Sequence, residues 1–263
     1  MSLRFSDHGP EFPEQLVDAL LKGDVVFLCG AGVSAPQLPG FGGLVSDTFA
    51  DLNVEMTPSE ARSFREFRFE EALGSLSRRI VEPEEMIRSV VRQLQPPHDA
   101  DLSHHRAILR LSRDLDNRPV IVTTNFDTLI ERALLEIEAL PQVQALSSAG
   151  QDLPLPGSAG FGGIIHIHGR IGDDIVGVEQ TPLVLTSADY GDAYMRAGWA
   201  SRFLFDLCRC KTVVLVGYSA GDAPVRYFLN VLDADRQRFP DLKVDVYAMD
   251  DRPGLHAYPP AVT

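Results

Sequence analysis

Apolar residues recur along the chain in two rhythms. The segment Asp24 to Gly32, DVVFLCGAG, is a short run of Val, Phe and Leu ending at Gly-x-Gly, the form of a buried parallel strand entering a tight turn. After the loop AGVSAPQLPGFGG, which Pro36, Pro39 and four glycines keep non-helical, LVSDTFADL resumes with apolar residues three and four apart, the spacing of an amphipathic helix. That helical rhythm persists to Asn117. Phe64, Phe67, Leu73, Leu76 and Ile80 form one stripe, Met86, Ile87, Val90, Val91 and Leu94 a second, and Ile108, Leu109 and Leu115 a third. The strand pattern returns with PVIVTTNFD at 119–127, followed by the helix TLIERALLEIEA, in which Leu129, Ala133, Leu134 and Ile137 share a face. A Gly- and Pro-rich stretch at 150–163 leads into IIHIHG, then a strand PLVLT at 182–186 and a helix over Asp189 to Cys208. The strand TVVLVGY, a helix from Ala223 to Arg238 and a last strand VDVYAMD at 244–250 complete the pattern.

Strands alternating with helices, several strands being apolar on both faces, predict an α/β fold: a Rossmann-like, mostly parallel sheet with helices on both faces. A doubly wound chain returns to the sheet after about one helix. Residues 44–118 therefore read as an inserted helical small domain, and residues 1–43 with 119–263 as the Rossmann-like domain around it.

Composition narrows the function classes. With 44% hydrophobic and 23% charged residues over 263 positions, the chain carries enough apolar surface for a large core, which excludes intrinsic disorder. No run approaches the roughly 18 consecutive apolar residues of a membrane span, and the first residues show no apolar core of a secretory signal. No membrane partner and a cytoplasmic address are the expectations. The 24 basic and 37 acidic side chains give a net charge of −13, and no basic stripe offsets it, so direct nucleic-acid binding is not expected. Cys29, Cys208 and Cys210 are too few and too badly spaced for a disulfide framework, and no C-x-x-C pair offers a zinc site. No metal is expected.

Four short motifs carry candidate chemistry. GAGVSA at 30–35 fits G-x-G-x-x-[GA] directly after a predicted strand, where backbone amides can approach a pyrophosphate, although such turns also arise for structural reasons. A dehydrogenase would place an acid about twenty residues on, at the end of its second strand. Here that region is helical, and Asp51 sits on a helix. TTNFD at 123–127 puts polar residues at the carboxyl edge of a strand, with Asn125 and Asp127 on one side by period two. Asp127 is suited to capping the next helix, whereas Asn125, able both to donate and to accept, suits positioning a ribose hydroxyl or a water. HIHG at 166–169 offers two histidines on one strand face; the absence of a second ligand pair argues against metal, and consecutive His104 and His105 diverge on a helix. His168, at the strand end, suits a general base with an ordinary pKa near 6.5, and His166 suits packing. LVGYSAGD at 215–222 contains G-x-S-x-G between strand and helix, the nucleophile-elbow pattern. A serine hydrolase would need Ser219 with Asp250 or Asp251 and His256, which crowds acid and base onto one loop. A simple glycine-rich turn with Asp222 near a helix start is the bland reading.

Taken in order, GAGVS, TTNFDTL, HIHG and GYSAGD resemble the sirtuin-like NAD-consuming domains, particularly the zinc-less branch found in bacterial anti-phage defence proteins; FEEAL at 69–73 and LVLTSADYGDAY at 183–194 are similar to that branch as well. The resemblance implies NAD bound as substrate, without zinc, between a Rossmann-like domain and a helical one. It also implies that Gly30, Ala31, Gly32 and Ser34 hold the phosphates, that Asn125 and Asp127 line the nicotinamide and ribose region, and that His168 is the catalytic histidine. Gly217 and Ser219 match a later cofactor-binding turn, Asp222 an acid of the defence branch, and Asp250 by its position would meet the adenosine ribose. Two C-x-x-C pairs of the deacylating members are missing, and QLPGFGG lacks their arginine beside nicotinamide. The implied activity is therefore hydrolysis of NAD to nicotinamide and ADP-ribose, in a chain that assembles with copies of itself or with a gating partner protein. The alternatives are a non-catalytic sensor of NAD or an ADP-ribose derivative, and the serine hydrolase on Ser219.

Overall fold

The structure, a computed structural model, describes residues 2–4, 11–218, 223–238, 245–249 and 255–257. A short antiparallel pair, β1 (Ser2–Arg4) and β2 (Glu11–Pro13), precedes α1 (Glu14–Leu21) and β3 (Val25–Cys29). Four helices follow: α2 (Phe41–Asp51), α3 (Pro58–Arg65), α4 (Phe69–Arg79) and α5 (Pro83–Gln93). Next come α6 (Ser103–Leu111), β4 (Val120–Thr123), α7 (Leu129–Leu135), α8 (Leu140–Leu146), β5 (Ser147–Ala149) and β6 (Gly163–His166). The chain continues through α9 (Ser187–Gly191), α10 (Trp199–Cys210), β7 (Thr212–Val216), α11 (Ala223–Arg238), β8 (Val246–Met249) and β9 (Leu255–Ala257).

The main sheet has the order β5-β6-β4-β3-β7-β8-β9, parallel from β5 to β8 with β9 antiparallel at one edge. This is the α/β, Rossmann-like arrangement that the alternating pattern predicts. Alternation within each strand divides the sheet's side chains between two cores. Val26 and Leu28 of β3 join Val122, Ile165 and Leu215 against α10 and α11, while Val25 and Phe27 join Ile121, Ile164 and Val214 against α1, α6 and α7. A third core lies among α2, α4 and α5, where Leu44, Phe49, Leu73, Leu76, Met86 and Val90 pack with Phe126 and Leu185 from the sheet side. α3 starts on a reciprocal cap: Thr57 Oγ1 accepts from the Glu60 amide and the Glu60 carboxylate accepts from the Thr57 amide. Burial pushes the Glu60 carboxyl up, but the Arg79 guanidinium and the Thr57 backbone bond outweigh it and hold it down at about 2.

Several local expectations are corrected. Residues 182–186 are extended but form no ladder. They run beside the exit of β6 through Val184 N to His168 O (2.9 Å) and Thr181 N to Arg170 O (2.9 Å). Gly169 permits this crossing, because at its φ of +86° a Cβ would lie 2.0 Å from the Pro182 carbonyl oxygen. The helix expected over Asp189–Cys208 is broken into α9, a π-helical turn at Asp192–Arg196 and α10, with Gly198 left-handed at φ +64° at the last junction. Phe67, Leu115 and Ile137 leave their predicted apolar faces and are exposed. Phe67 sits at φ +58° between two helices, and Ile137 lies beyond the end of α7. The pattern predicts neither β1 and β2, nor Ser-Ser-Ala of β5, nor the antiparallel β9. Among the described residues no helix is long and apolar enough to cross a membrane.

Candidate active site

β3 sits in the middle of the sheet: the chain departs from it toward β4 and β6 and returns on its other side at β7. The carboxyl ends of these strands are the edge at which parallel α/β sheets take their ligands. The loop after β3 and the loop after β7 meet there. Gly30 N donates to Val216 O (2.9 Å) and Gly32 N to Gly217 O (2.8 Å), and Ala31–Val33 form one 3₁₀ turn. A Cβ on Gly32 would stand 2.8 Å from Gly217 Cα, and one on Gly217, whose φ is +64°, only 2.4 Å from Val33 N. The approach of two backbones by itself requires these glycines. The amides of Val33 and Ser34 close onto Gly30 O and Ala31 O, so four of this loop's amides already serve protein carbonyls. Ala31 and Gly32 face outward, while Ser34 is buried.

β4 stops at Thr123, earlier than the sequence pattern suggests, because the Thr123 hydroxyl turns back: Oγ1 donates to Cys29 O (3.0 Å) and accepts from Asn125 N (3.0 Å). The chain then places Asn125 and Asp127 against the β3 loop. Asn125 Nδ2 donates to Gly30 O (3.1 Å) and to Ser34 Oγ (3.2 Å), and Ser34 Oγ donates to Asp127 Oδ2 (2.8 Å). Because the Gly30 carbonyl can only accept, the amide's orientation is fixed, leaving Asn125 Oδ1 as the acceptor for an incoming hydroxyl or water. Asp127 also accepts from Leu129 N (3.1 Å) at the start of α7, so the capping role expected of it and its contact with Ser34 coexist. Burial raises the Asp127 carboxyl above its usual range. Burial, with the Asp127 charge beside it, pushes the Cys29 thiol up to about 12.

Behind this group lies a buried polar chain. His166 Nδ1 donates to Asn125 O (2.9 Å), and its Nε2 lies 2.7 Å from Glu131 Oε1; both side chains are fully buried. Glu131 Oε1 also accepts from Ser147 Oγ, which in turn accepts from Arg170 Nη1. Burial pushes the Glu131 carboxyl up, but His166 and the two side-chain bonds outweigh it and hold it below the ordinary range. The segment after HIHG is anchored by Asp173, which accepts from Arg132 Nε (2.7 Å) and from Thr128 Oγ1. His166 is thus a fixed strut beneath Asn125.

His168 is 1% exposed. Its Nε2 lies 2.8 Å from the Tyr194 hydroxyl, Tyr190 meets its ring edge-on at 5.2 Å, and the Phe126 ring stands 6.4 Å away, tilted to it. Tyr190 and Tyr194 stack on each other at 6.0 Å. Burial drives the His168 pKa from 6.5 down to about 3, which corrects the expectation of an ordinary value; the imidazole is neutral across the physiological range and its ring is covered. Both tyrosines belong to LVLTSADYGDAY, a segment that carries part of the family resemblance, but the sequence reading gives neither a role; their four-residue separation on one helical face is the available signal. Glu131, inside an apolar helix, was missed too. Ser219, Asp222 and Asp250 lie outside the described residues, as does Asp251 of the serine-hydrolase alternative. Among the described residues no group of three or more His, Cys, Asp or Glu is placed to hold a metal ion.

Comparison with known proteins adds two findings. A family model described as the SIR2-like domain matches residues 119–257. The uncharacterized protein y4cA of Sinorhizobium fredii is 58% identical over 252 residues, covering 96% of this chain and 21% of that protein. The chain thus spans about a fifth of the length of this relative.

Proposed function

The chain belongs to the SIR2-like domain family, whose members are typically NAD-dependent enzymes, and from that premise we propose that it is an NAD glycohydrolase, releasing nicotinamide and ADP-ribose without zinc. The observation that carries this reading is the fixed Asn125 amide, pinned by Gly30 O and Ser34 Oγ at the switch point of the sheet. The β6 strand that ends on His166 leads directly to His168.

NAD supplies the bond to be broken, between nicotinamide and its ribose. The residues supply position and proton acceptance. Asn125 Oδ1 orients a ribose hydroxyl or the attacking water, and the Ser34–Asp127 pair holds the amide in place. That geometry matters because correct placement is worth several orders of magnitude in rate. His168, neutral at physiological pH, takes the proton from that hydroxyl on its unprotonated ring nitrogen. The outward-facing Ala31 and Gly32, with Gly30, Ser34 and Gly217, border the phosphates, and the family pattern extends this set to Ser219, Asp222 and Asp250. Within residues 44–118, α2 to α5 act as the helical small domain closing the crevice, whereas α6 packs on the sheet through Ile108 and Leu109. The physiological setting we propose is depletion of cytoplasmic NAD in bacterial anti-phage defence, gated by self-assembly or by a partner protein.

Asn125→Ala tests the assignment. Nicotinamide release, followed by chromatography on folded protein, is expected to fall about a hundredfold or more. Near-normal release would remove Asn125 from the mechanism. Treatment with a fluorophosphonate is expected to leave Ser219 unlabelled; labelling there would favour the serine-hydrolase alternative instead.

A further inference from the structure

Tyr194 stands where the reaction needs an empty place. A neutral imidazole has a single lone pair with which to take a proton, and in this structure the Tyr194 hydroxyl lies 2.8 Å from His168 Nε2. Tyr190, one turn earlier, stacks on Tyr194 and closes the ring edge. Together with Phe126 they reduce the exposure of His168 to 1%.

The segment bearing the two tyrosines is built differently from the rest of the fold. It begins at a reciprocal cap between Thr186 and Asp189, passes through α9 and the π-helical turn Asp192–Arg196, and ends at left-handed Gly198. π-turns are rare single-turn irregularities that are frequently found at functional sites. Its apolar anchor has two parts: Val184, Ala193 and Ala200 form a small cluster with the two tyrosines and Trp199, and Tyr194 and Trp199 also pack against the larger core beneath α10. Met195, on the same turn, is 85% exposed. On its other side, α9 packs against α4 of the helical unit, where Gly74 leaves room for Ser187; a Cβ there would stand 2.9 Å from the serine hydroxyl. The cover therefore touches both the helical unit and the candidate base.

We infer that Tyr194 is a gate on His168: its hydroxyl holds Nε2 in the resting state, and the substrate hydroxyl or water must displace it before a proton can be transferred. The inference rests on the hydrolase reading for its kinetic consequence, but the covering of His168 is a property of the chain alone. Tyr194 thereby becomes a positioning residue, with a turn linked to the helical unit through α9 and α4.

The test uses Tyr194→Phe, which keeps the ring and removes the hydroxyl, Tyr194→Ala, which opens the cover, and Met195→Ala as a control on the turn. Diethyl pyrocarbonate modification, read residue by residue by mass spectrometry against exposed His98, reports access to His168 without any turnover. His168 is expected to be protected in the full chain and after Met195→Ala. It should react about fivefold faster in Tyr194→Phe, the change expected for loss of one hydrogen bond, and faster still in Tyr194→Ala. In the NAD assay, Tyr194→Phe is expected to lower KM by a similar factor with kcat unchanged, because substrate no longer competes for Nε2. Reaction of His168 as fast as His98 in the unaltered chain, or no acceleration in either tyrosine variant, would overturn the gate. So would a tenfold fall in kcat at constant KM in Tyr194→Phe, which would make the hydroxyl an activating partner. Absence of turnover in every variant would reject the hydrolase reading while the modification rates still decide the gate.

Discussion

Acidification should unfold this protein partly through His168. In the folded chain burial holds its pKa at about 3, against 6.5 for the free side chain. Between those values the unfolded histidine carries a proton that the folded one does not. The unfolded state therefore binds more protons there, and stability must fall as pH is lowered through that window. The stabilisation relative to the protonated state is fully present above pH 6.5 and is lost progressively toward pH 3. At about 1.4 kcal/mol per pH unit, His168 alone accounts for a loss of about 2 kcal/mol between pH 7 and pH 5, and about 3 kcal/mol by pH 4. The assay is urea unfolding of the unaltered chain and of His168→Gln at pH 7 and pH 5, comparing the pH dependence rather than the absolute stabilities. Glutamine fills similar space without titrating, so the variant should lose about 2 kcal/mol less over that interval. Equal losses in both proteins would mean that His168 titrates normally in the folded state. The buried, tyrosine-covered environment would then be wrong.

Two further outcomes follow from the buried polar groups. His105 on α6 is fully buried with no hydrogen-bond partner at either ring nitrogen among the described residues, and burial lowers its pKa to about 4. His105→Leu, which removes two unsatisfied atoms, should raise stability at pH 7 by about 1 kcal/mol in urea unfolding; a loss of stability would show that a partner satisfies the ring. Glu131→Gln takes the charge from a fully buried contact with His166 and should cost about 3 kcal/mol or more by the same measurement, whereas an unchanged midpoint would show that the contact does not depend on the Glu131 charge.

Much of the architecture is legible in the residues because burial itself selects them. VVFLC, VIVT and TVVLV become β3, β4 and β7, and their alternate side chains supply two cores with no need for longer-range information. The polar tail TTNFD is legible for the same reason: Asn125 and Asp127 lie past an apolar strand with nothing local to satisfy them, and both reach Ser34. Other features depend on tertiary contact. β5 is Ser-Ser-Ala, strand only because β6 pairs with it. PLVLT has strand composition but runs beside a glycine crossing that gives it no ladder. The glycines of GAG read as a phosphate turn, yet the approach of the Gly217 loop already demands them. The burial of His168 was invisible because its cover comes from Tyr190 and Tyr194, more than twenty residues downstream, through a π-helical turn that no periodicity announces.

The central claim, cleavage of NAD at His168 and Asn125, is tested most directly by one time course. The purified chain and His168→Ala are incubated with NAD, and nicotinamide and ADP-ribose are separated by chromatography. The expected result is equal release of both products by the unaltered chain, falling by about two to four orders of magnitude in the variant. Release that persists undiminished in His168→Ala, or saturable NAD binding with no release by the unaltered chain, would contradict it.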